Sequence, residues 1–255
     1  MRMEAEIFHQ FVREICFTHL QPHQDLPEAF GGPDGALRFP PHTRTLIESW
    51  NTQLPVTEEI FASLQCLGSL PRMSTLAVGA MIQMLVSQMP EGCMYLNVGF
   101  WHGYSLFAGM LGNADKQCVG IDNFSEFTEP PFASSAGPQL LFLEEFAKRA
   151  SSQHRFFIDD YRTYFTQHRG AIGLYFYDGN HEYEYQREAL ELAHPHIVPG
   201  GIIIVDDTNW EPPRSATQDF MASKGGAYGC LFDQKTAHNS HPTYWNGMMV
   251  LRKNI

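Results

Sequence analysis

The spacing of hydrophobic and polar positions divides this chain into two regimes. Along residues 3–20, Ile7, Phe8, Phe11, Val12 and Ile15 recur at helical spacing. Residues 21–41 carry Pro22, Pro27, Gly31, Gly32, Pro33, Gly35, Pro40 and Pro41 and read as loop. Thr57-Glu58-Glu59 opens a second amphipathic helix to about Leu67, and Ser74 is placed to cap a third that runs to about Met89. Residues 1–90 therefore read as a helical arm, either a cover over a substrate or a contact between subunits in a homo-oligomer.

From Cys93 onward, short and almost continuously apolar runs alternate with helical segments. The runs are Cys93–Val98, Gln117–Ile121, His154–Ile158, Ala171–Tyr177 and Ile202–Val205, with helices from about Gly103 and over about 138–150, 183–194 and 214–223. Runs of this kind are parallel strands buried on both faces by crossover helices. Two further strands, about 228–233 and 244–251, have no helix between them and read as an antiparallel hairpin. The expected fold is α/β: a Rossmann-like, doubly wound, mostly parallel seven-stranded sheet over residues 91–255, with an antiparallel C-terminal hairpin and the N-terminal helical arm.

Composition narrows the function. The 255 residues are 44% hydrophobic and 18% charged, which excludes a disordered chain. The formal charge of -11 argues against a nucleic acid or an anionic membrane as partner. The most apolar stretch, Met73–Met89, is interrupted by Ser74, Thr75, Gln83, Ser87 and Gln88 and is short for a bilayer, so it reads as a core helix. Cys16, Cys66, Cys93, Cys118 and Cys230 form no CxxC pair and read as reduced, buried thiols of a cytoplasmic protein. The N-terminus lacks the apolar run of a signal peptide.

In an open parallel sheet, ligands bind outside the carboxyl ends of the strands. Those ends deliver Gly99 to Ser105, then Asp122, Asp159-Asp160, Asp178 and Asp206-Asp207. A single Asp after a strand is most often a turn former; the repetition at strand after strand points to one chemical rim. Gly99 lets the backbone approach a ligand, and the helix starting near Gly103 offers free amides to a carboxylate. Asp122 ends the neighbouring strand, where a carboxylate can take both hydroxyls of a ribose. The turn lacks the GxGxxG spacing of a dinucleotide site.

The segments YLNVGFWHGYS, VGIDNF, FYDGNHEYEYQREAL and VPGGIIIVDDTNW, in this order, resemble the class I S-adenosylmethionine-dependent methyltransferases. Within them they are most similar to the branch holding the metal-dependent sugar O-methyltransferases of macrolide and aminocoumarin biosynthesis and the cephalosporin-hydroxylase-like proteins. The resemblance covers about residues 75–252. It implies a cofactor site at Asn97, Gly99, Gly103, Tyr104, Ser105, Asp122, Asn123, Asp159 and Asp160, with Asp122 on the ribose and the Asp159-Asp160 pair beside the adenine. It implies a divalent metal on Asp178, Asp206 and Asp207. Asn97 departs from the acidic residue usual in the family, which leaves open how the amino end of the cofactor is held.

The metal also follows from the chemistry of the residues. Three carboxylates gathered at two neighbouring strand ends repel one another unless a cation lies between them. Oxygen-only ligation without cysteine suits Mg²⁺ first, then Mn²⁺ or Ca²⁺. The bland alternative makes Asp206-Asp207 a helix cap and pairs Asp178 with a basic side chain. His181, in the DGNH segment, is the candidate general base, with Asp178 as its rival. The expectation is an O-methyltransferase acting on a hydroxyl of a small molecule or sugar. Two alternatives stand beside it: a non-catalytic binding protein on the same fold, and a nicotinamide-dependent oxidoreductase. Phe100, Trp101, Tyr104, Phe124, Phe127 and Trp210 are candidates to shape the pocket, Asn123–Pro138 a candidate lid, and Arg214 a candidate contact for an anionic acceptor.

Overall fold

A computed structural model of the chain describes residues 5–27, 39–125 and 137–254. Most of the expected lid, with Phe127, Pro130 and Pro131, lies outside the described residues. Among the described residues no helix is long and apolar enough to cross a membrane.

The N-terminal ninety residues hold α1 (Ala5–Glu14), β1 (Cys16–Phe17), α2 (Pro41–Asn51), β2 (Thr52–Gln53), α3 (Glu58–Gly68) and α4 (Leu76–Ser87). The helical spacing of residues 3–20 thus ends early, because Cys16 and Phe17 pair with Gln53 and Thr52 in a two-stranded ribbon. Thr57 caps α3 as its sequence suggests, its Oγ1 accepting the Ile60 amide at 3.3 Å. Thr75, rather than Ser74, caps α4 by accepting the Val78 amide.

The remaining elements are β3 (Met94–Val98), α5 (Tyr104–Met110), β4 (Gln117–Ile121), α6 (Pro138–Arg149), β5 (His154–Phe157), α7 (Tyr161–Gln167), β6 (Ile172–Tyr177), α8 (Tyr183–Ala193), β7 (Ile197–Val205), α9 (Glu211–Ser223), β8 (Tyr228–Gln234) and β9 (Met248–Lys253). They build a seven-stranded sheet in the order β5-β4-β3-β6-β7-β9-β8. Strands β3 to β7 pair in parallel, while β9 runs antiparallel to both β7 and β8. The order reverses between β3 and β6, and this is the switch point at which such sheets open a crevice. Gly200 and Gly201 lie inside β7 rather than before it.

Both faces of the sheet are buried, as the unbroken apolar runs require. Along β6 and β7, Leu174, Phe176, Ile202 and Ile204 join one core with α4 and α5, while Tyr175, Tyr177, Ile203 and Val205 join a second with α8. The helix α4 is buried along most of its length in the first core. Three of the five cysteines, Cys16, Cys66 and Cys230, are exposed, and only Cys93 and Cys118 are buried as expected. The reason is local: Cys16 lies on a two-residue ribbon, Cys66 on the outer side of α3 and Cys230 on the edge strand.

Two devices hold the N-terminal elements in place, one tying α2 to α4 and the other tying the arm to the β8–β9 connection. Glu48 of α2 pairs with Arg72 at 3.0 Å and accepts the Leu76 amide at 2.7 Å, so one buried carboxylate serves both an arginine and the first turn of α4. The chain between β8 and β9 is strapped to the arm by Ala237 N–H to the Pro22 carbonyl (2.8 Å), by His241 Nε2 to the Gln24 carbonyl (3.2 Å), and by Thr75 Oγ1 donating to the Thr243 carbonyl (2.6 Å).

Candidate active site

The register of the sheet levels the strand ends. Val98 pairs with Ile121 on one side and Tyr177 on the other, and Tyr177 pairs with Val205. Gly99, Asp122, Asp178 and Asp206 therefore follow at the same height. A cavity of about 600 Å³ opens there, walled by these strand ends and closed by residues 71–74 from the arm and 239–246 from the β8–β9 connection.

On the β3–β4 side the carboxylate of Asp122 organises the turn. Its Oδ2 accepts the amides of Phe100 (2.8 Å) and Trp101 (2.7 Å), and its Oδ1 accepts the Phe124 amide (2.7 Å). Trp101 and Phe124 both sit at positive φ, 48° and 51°, a conformation that a side chain adopts only when the surroundings hold it there. Gly99 (φ 75°) has no room for a Cβ, which would sit on the carbonyl of Asp178. Its lack of a side chain thus serves the close crossing of β3 and β6, not only the approach of a ligand. Gly103 begins α5 at φ 97° against the Phe107 ring and does not line the cavity.

Asn97 is fully buried and also stands off the cavity: its Oδ1 accepts from Ser105 Oγ at 2.8 Å, tying β3 to the first turn of α5. The Tyr104 hydroxyl donates to the Thr75 carbonyl at 2.8 Å, and Arg72 packs over its ring at 5.2 Å. Asn123 turns back on its own loop, its Oδ1 accepting from the Ser125 amide and hydroxyl. Asp159 accepts the Asp160 amide and Asp160 caps α7 by accepting the Arg162 amide, so this pair fills the turn-forming role while still lining the cavity.

On the β6–β7 side the structure gathers Asp178, His181 and Asp207. His181 Nε2 stands 3.2 Å from Asp207 Oδ2 and 3.6 Å from Asp178 Oδ1, and the imidazole packs edge-on against Trp210 at 5.5 Å. Asp207 takes φ 55° and its Oδ1 accepts from Asn246 Nδ2 at 2.8 Å. Asp206 does not share this cluster. It lies behind the cavity wall, 2% exposed, with its Oδ1 accepting the Asp207 amide. Burial pushes both carboxyls above the ordinary range, Asp206 furthest, and the adjacent Asp207 charge adds to it; the His181 ring and the Asn246 bond pull Asp207 back down. Among the described residues no lysine or arginine forms an ion pair with either one. Nor do the described residues hold three His, Cys, Asp or Glu side chains arranged to bind a metal ion.

Sequence reasoning missed Arg72, Met73 and Ser74 in the arm, Tyr161, Arg162 and Tyr185 near the β5 end, and Asn239, Ser240, Trp245 and Asn246. The polar cluster between two strands around Asn246 was the available signal. Arg214, a candidate for an anionic acceptor, is committed elsewhere: its guanidinium grips Asp233 at 2.7 and 2.9 Å and the Thr208 carbonyl at 2.7 Å.

Residues 96–208 match the family described as a methyltransferase domain. None of the curated proteins matches the chain by sequence. Among solved structures, a protein of Corynebacterium glutamicum aligns at TM-score 0.57 and 15% identity, covering 84% of this chain and 96% of its own. An apo TDP-rhamnose 3′-O-methyltransferase of calicheamicin biosynthesis aligns at 0.51 and 16%, covering 92% and 97%. An O-methyltransferase of Bacillus cereus in complex with SAH aligns at 0.54 and 12%, covering 83% and 99%. At these identities the structural likeness establishes the fold.

Proposed function

We propose that the protein is an S-adenosylmethionine-dependent methyltransferase of class I that methylates a hydroxyl of a small molecule or sugar, a reading supported by the match of residues 96–208 to the family described as a methyltransferase domain. The observation that carries the reading is the single cavity with two chemically different sides: a glycine turn and Asp122 at the ends of β3 and β4, and the Asp178–His181–Asp207 cluster beyond the end of β6. The cofactor would lie along the first side, over Gly99, Tyr104, Ser105, Asp122, Asn123, Asp159 and Asp160. Asn97 and Gly103 would act from behind the wall by shaping the turn.

The protein's part in the reaction is positioning and proton handling, since the sulfonium carries the reactive methyl. His181 takes the hydroxyl proton, with Asp178 the rival for that role. The resulting oxygen attacks the methyl carbon, the C–S bond breaks, and S-adenosylhomocysteine leaves. The walls made by residues 71–74 and 239–246 exclude water and select the acceptor.

A divalent ion, Mg²⁺ or in its place Mn²⁺ or Ca²⁺, would be held by Asp178 and Asp207, which face one space; Asp206, the third expected ligand, stands behind the cavity wall. An oxygen-only donor set suits such a hard ion. When bound, it would lower the pKa of the acceptor hydroxyl. The three carboxylates do not surround a common point here, so the acid–base role of His181 is derived without it.

Titration calorimetry with S-adenosylhomocysteine tests the cofactor site: saturable heat is expected, and none from a folded protein overturns the reading. Transfer of labelled methyl to a panel of hydroxylated small molecules and sugars tests the reaction. Transfer should fall in EDTA and return with Mg²⁺; indifference to EDTA removes the metal.

A further inference from the structure

The charges that face the cavity are unequal in number and in freedom. Among the described residues its lining carries Asp122, Asp159, Asp160, Asp178 and Asp207 against two arginines and no lysine. Both arginines are already matched by carboxylates. Arg72 is 1% exposed and is held by Glu48 at 3.0 Å, by the Gly68 and Ser74 carbonyls and by Thr45 Oγ1. Arg162 pairs with Glu188 at 2.6 Å and with Asp160 at 3.4 Å, and its guanidinium lies against the Tyr161 and Tyr185 rings. A divalent ion held by Asp178 and Asp207 would cancel the charge of that pair without reversing it.

The other common seats for an anion on this rim are taken as well. Helices α7, α8 and α9 start just beyond the ends of β5, β6 and β7, and a helix start attracts negative charge through its free amides. Asp160 caps α7 by accepting the Arg162 amide at 2.8 Å, while Glu184 stands in the first turn of α8 and Glu211 in that of α9. What the mouth does offer is uncharged. Trp210 and Tyr185 are 40% and 36% exposed and line the cavity with flat apolar faces, and Asn239 and Ser240 line it with neutral polar groups. A phosphate or carboxylate entering this space gives up its water and meets carboxylates of its own sign. We propose that the cavity selects its methyl acceptor by charge: it takes a hydroxylated ring compound that carries no phosphate or carboxylate, seated against Trp210 and Tyr185 and hydrogen-bonded by Asn239 and Ser240. This rests on the reading of the cavity as the place where a hydroxyl is methylated, and it narrows the class of molecule that brings the hydroxyl.

Saturation-transfer NMR on the whole protein, with S-adenosylhomocysteine present and the ionic strength held fixed, reads the selection. The probes share one ring: phenyl β-D-glucopyranoside, its 6-phosphate and the corresponding glucuronide. The uncharged glucoside is expected to bind, and the phosphate and the carboxylate to bind about tenfold more weakly or less. Trp210→Ala should weaken the glucoside, and Asn239→Lys, which sets a cation beside the space, should narrow the gap between charged and uncharged probes. The proposal is overturned by a glucoside that does not bind the wild type, or by charged probes that bind as well as it or better. A glucoside affinity unchanged by Trp210→Ala also overturns it, since the probe then sits elsewhere. The comparison of the three probes on the wild type needs no variant to fold. If S-adenosylhomocysteine itself fails to bind, the methyltransferase reading falls, and the same comparison on the protein alone still decides the charge preference.

Discussion

The carboxylate of Asp122 accepts the backbone amide of Trp101 at 2.7 Å, so the end of β4 shapes the turn that follows β3. The sequence reading gave this side chain to a ribose. In the structure three amides already point at its two oxygens, and it lines the cavity as well. A carboxylate oxygen has more than one acceptor site, so both duties are compatible.

Asp122→Asn should therefore affect both stability and binding. The amide keeps one acceptor and brings N–H groups against one of the backbone donors. A cost of about 2 kcal/mol in urea unfolding is expected, the range for a lost charge-assisted hydrogen bond. Titration calorimetry should show S-adenosylhomocysteine binding weakened by about tenfold, or roughly 1.4 kcal/mol. Unchanged values in both measurements would mean that the turn holds itself.

Glu48 and Arg72 offer a second measurement. Burial pushes the Glu48 carboxyl up while the paired guanidinium opposes it, and Arg44, also buried beside them, is lowered to about 10 by burial and by Arg72. Glu48→Ala leaves two guanidinium groups in the interior without that carboxylate. Chemical denaturation should show a loss of about 3–5 kcal/mol, the usual penalty for breaking a buried pair from one side. The double change Glu48→Met with Arg72→Met should lie closer to the wild type than Glu48→Ala does. If the single change proves harmless, the pair does not hold the arm.

His241 gives a dependence on pH. Burial lowers its pKa from 6.5 to about 4, with the bond to the Gln24 carbonyl working in the opposite sense. The unfolded chain therefore binds a proton that the folded one refuses, and stability from this group falls as pH drops below about 6.5 and levels off near 4. The full effect is about 3 kcal/mol. Unfolding free energies of the wild type and His241→Gln, measured from pH 7 to pH 4, should converge or cross by that order as the acid range is entered. Parallel curves would show that the ring protonates in place.

The sheet was readable because buried parallel strands leave an unbroken apolar signature. Gln117–Ile121 is found where the sequence puts it, and the other parallel strands differ by a residue at an end, except β7, which begins earlier through Gly200 and Gly201. Short or polar helices hid better: α7 is only seven residues long, and α2 buries the polar side chains Arg44, Thr45, Glu48 and Asn51, so it shows no apolar stripe. At the site, the ends of β6 and β7 place Asp178 and Asp207 beside one cavity, with His181 in the loop after β6. The sequence could not separate Asp206 from Asp207, because the positive φ at Asp207 turns adjacent side chains to different environments. Asn246 and Arg72 were invisible because their positions depend on contacts between segments far apart along the chain.

The cavity's outer walls, residues 71–74 and 239–246, flank residues 96–208 in sequence, one on each side of them. They are joined across the top by the Thr75–Thr243 bond. Substitutions there can remodel the mouth while the strand-borne floor keeps its shape, so under the proposed reading the choice of client can drift without disturbing the chemistry beneath it.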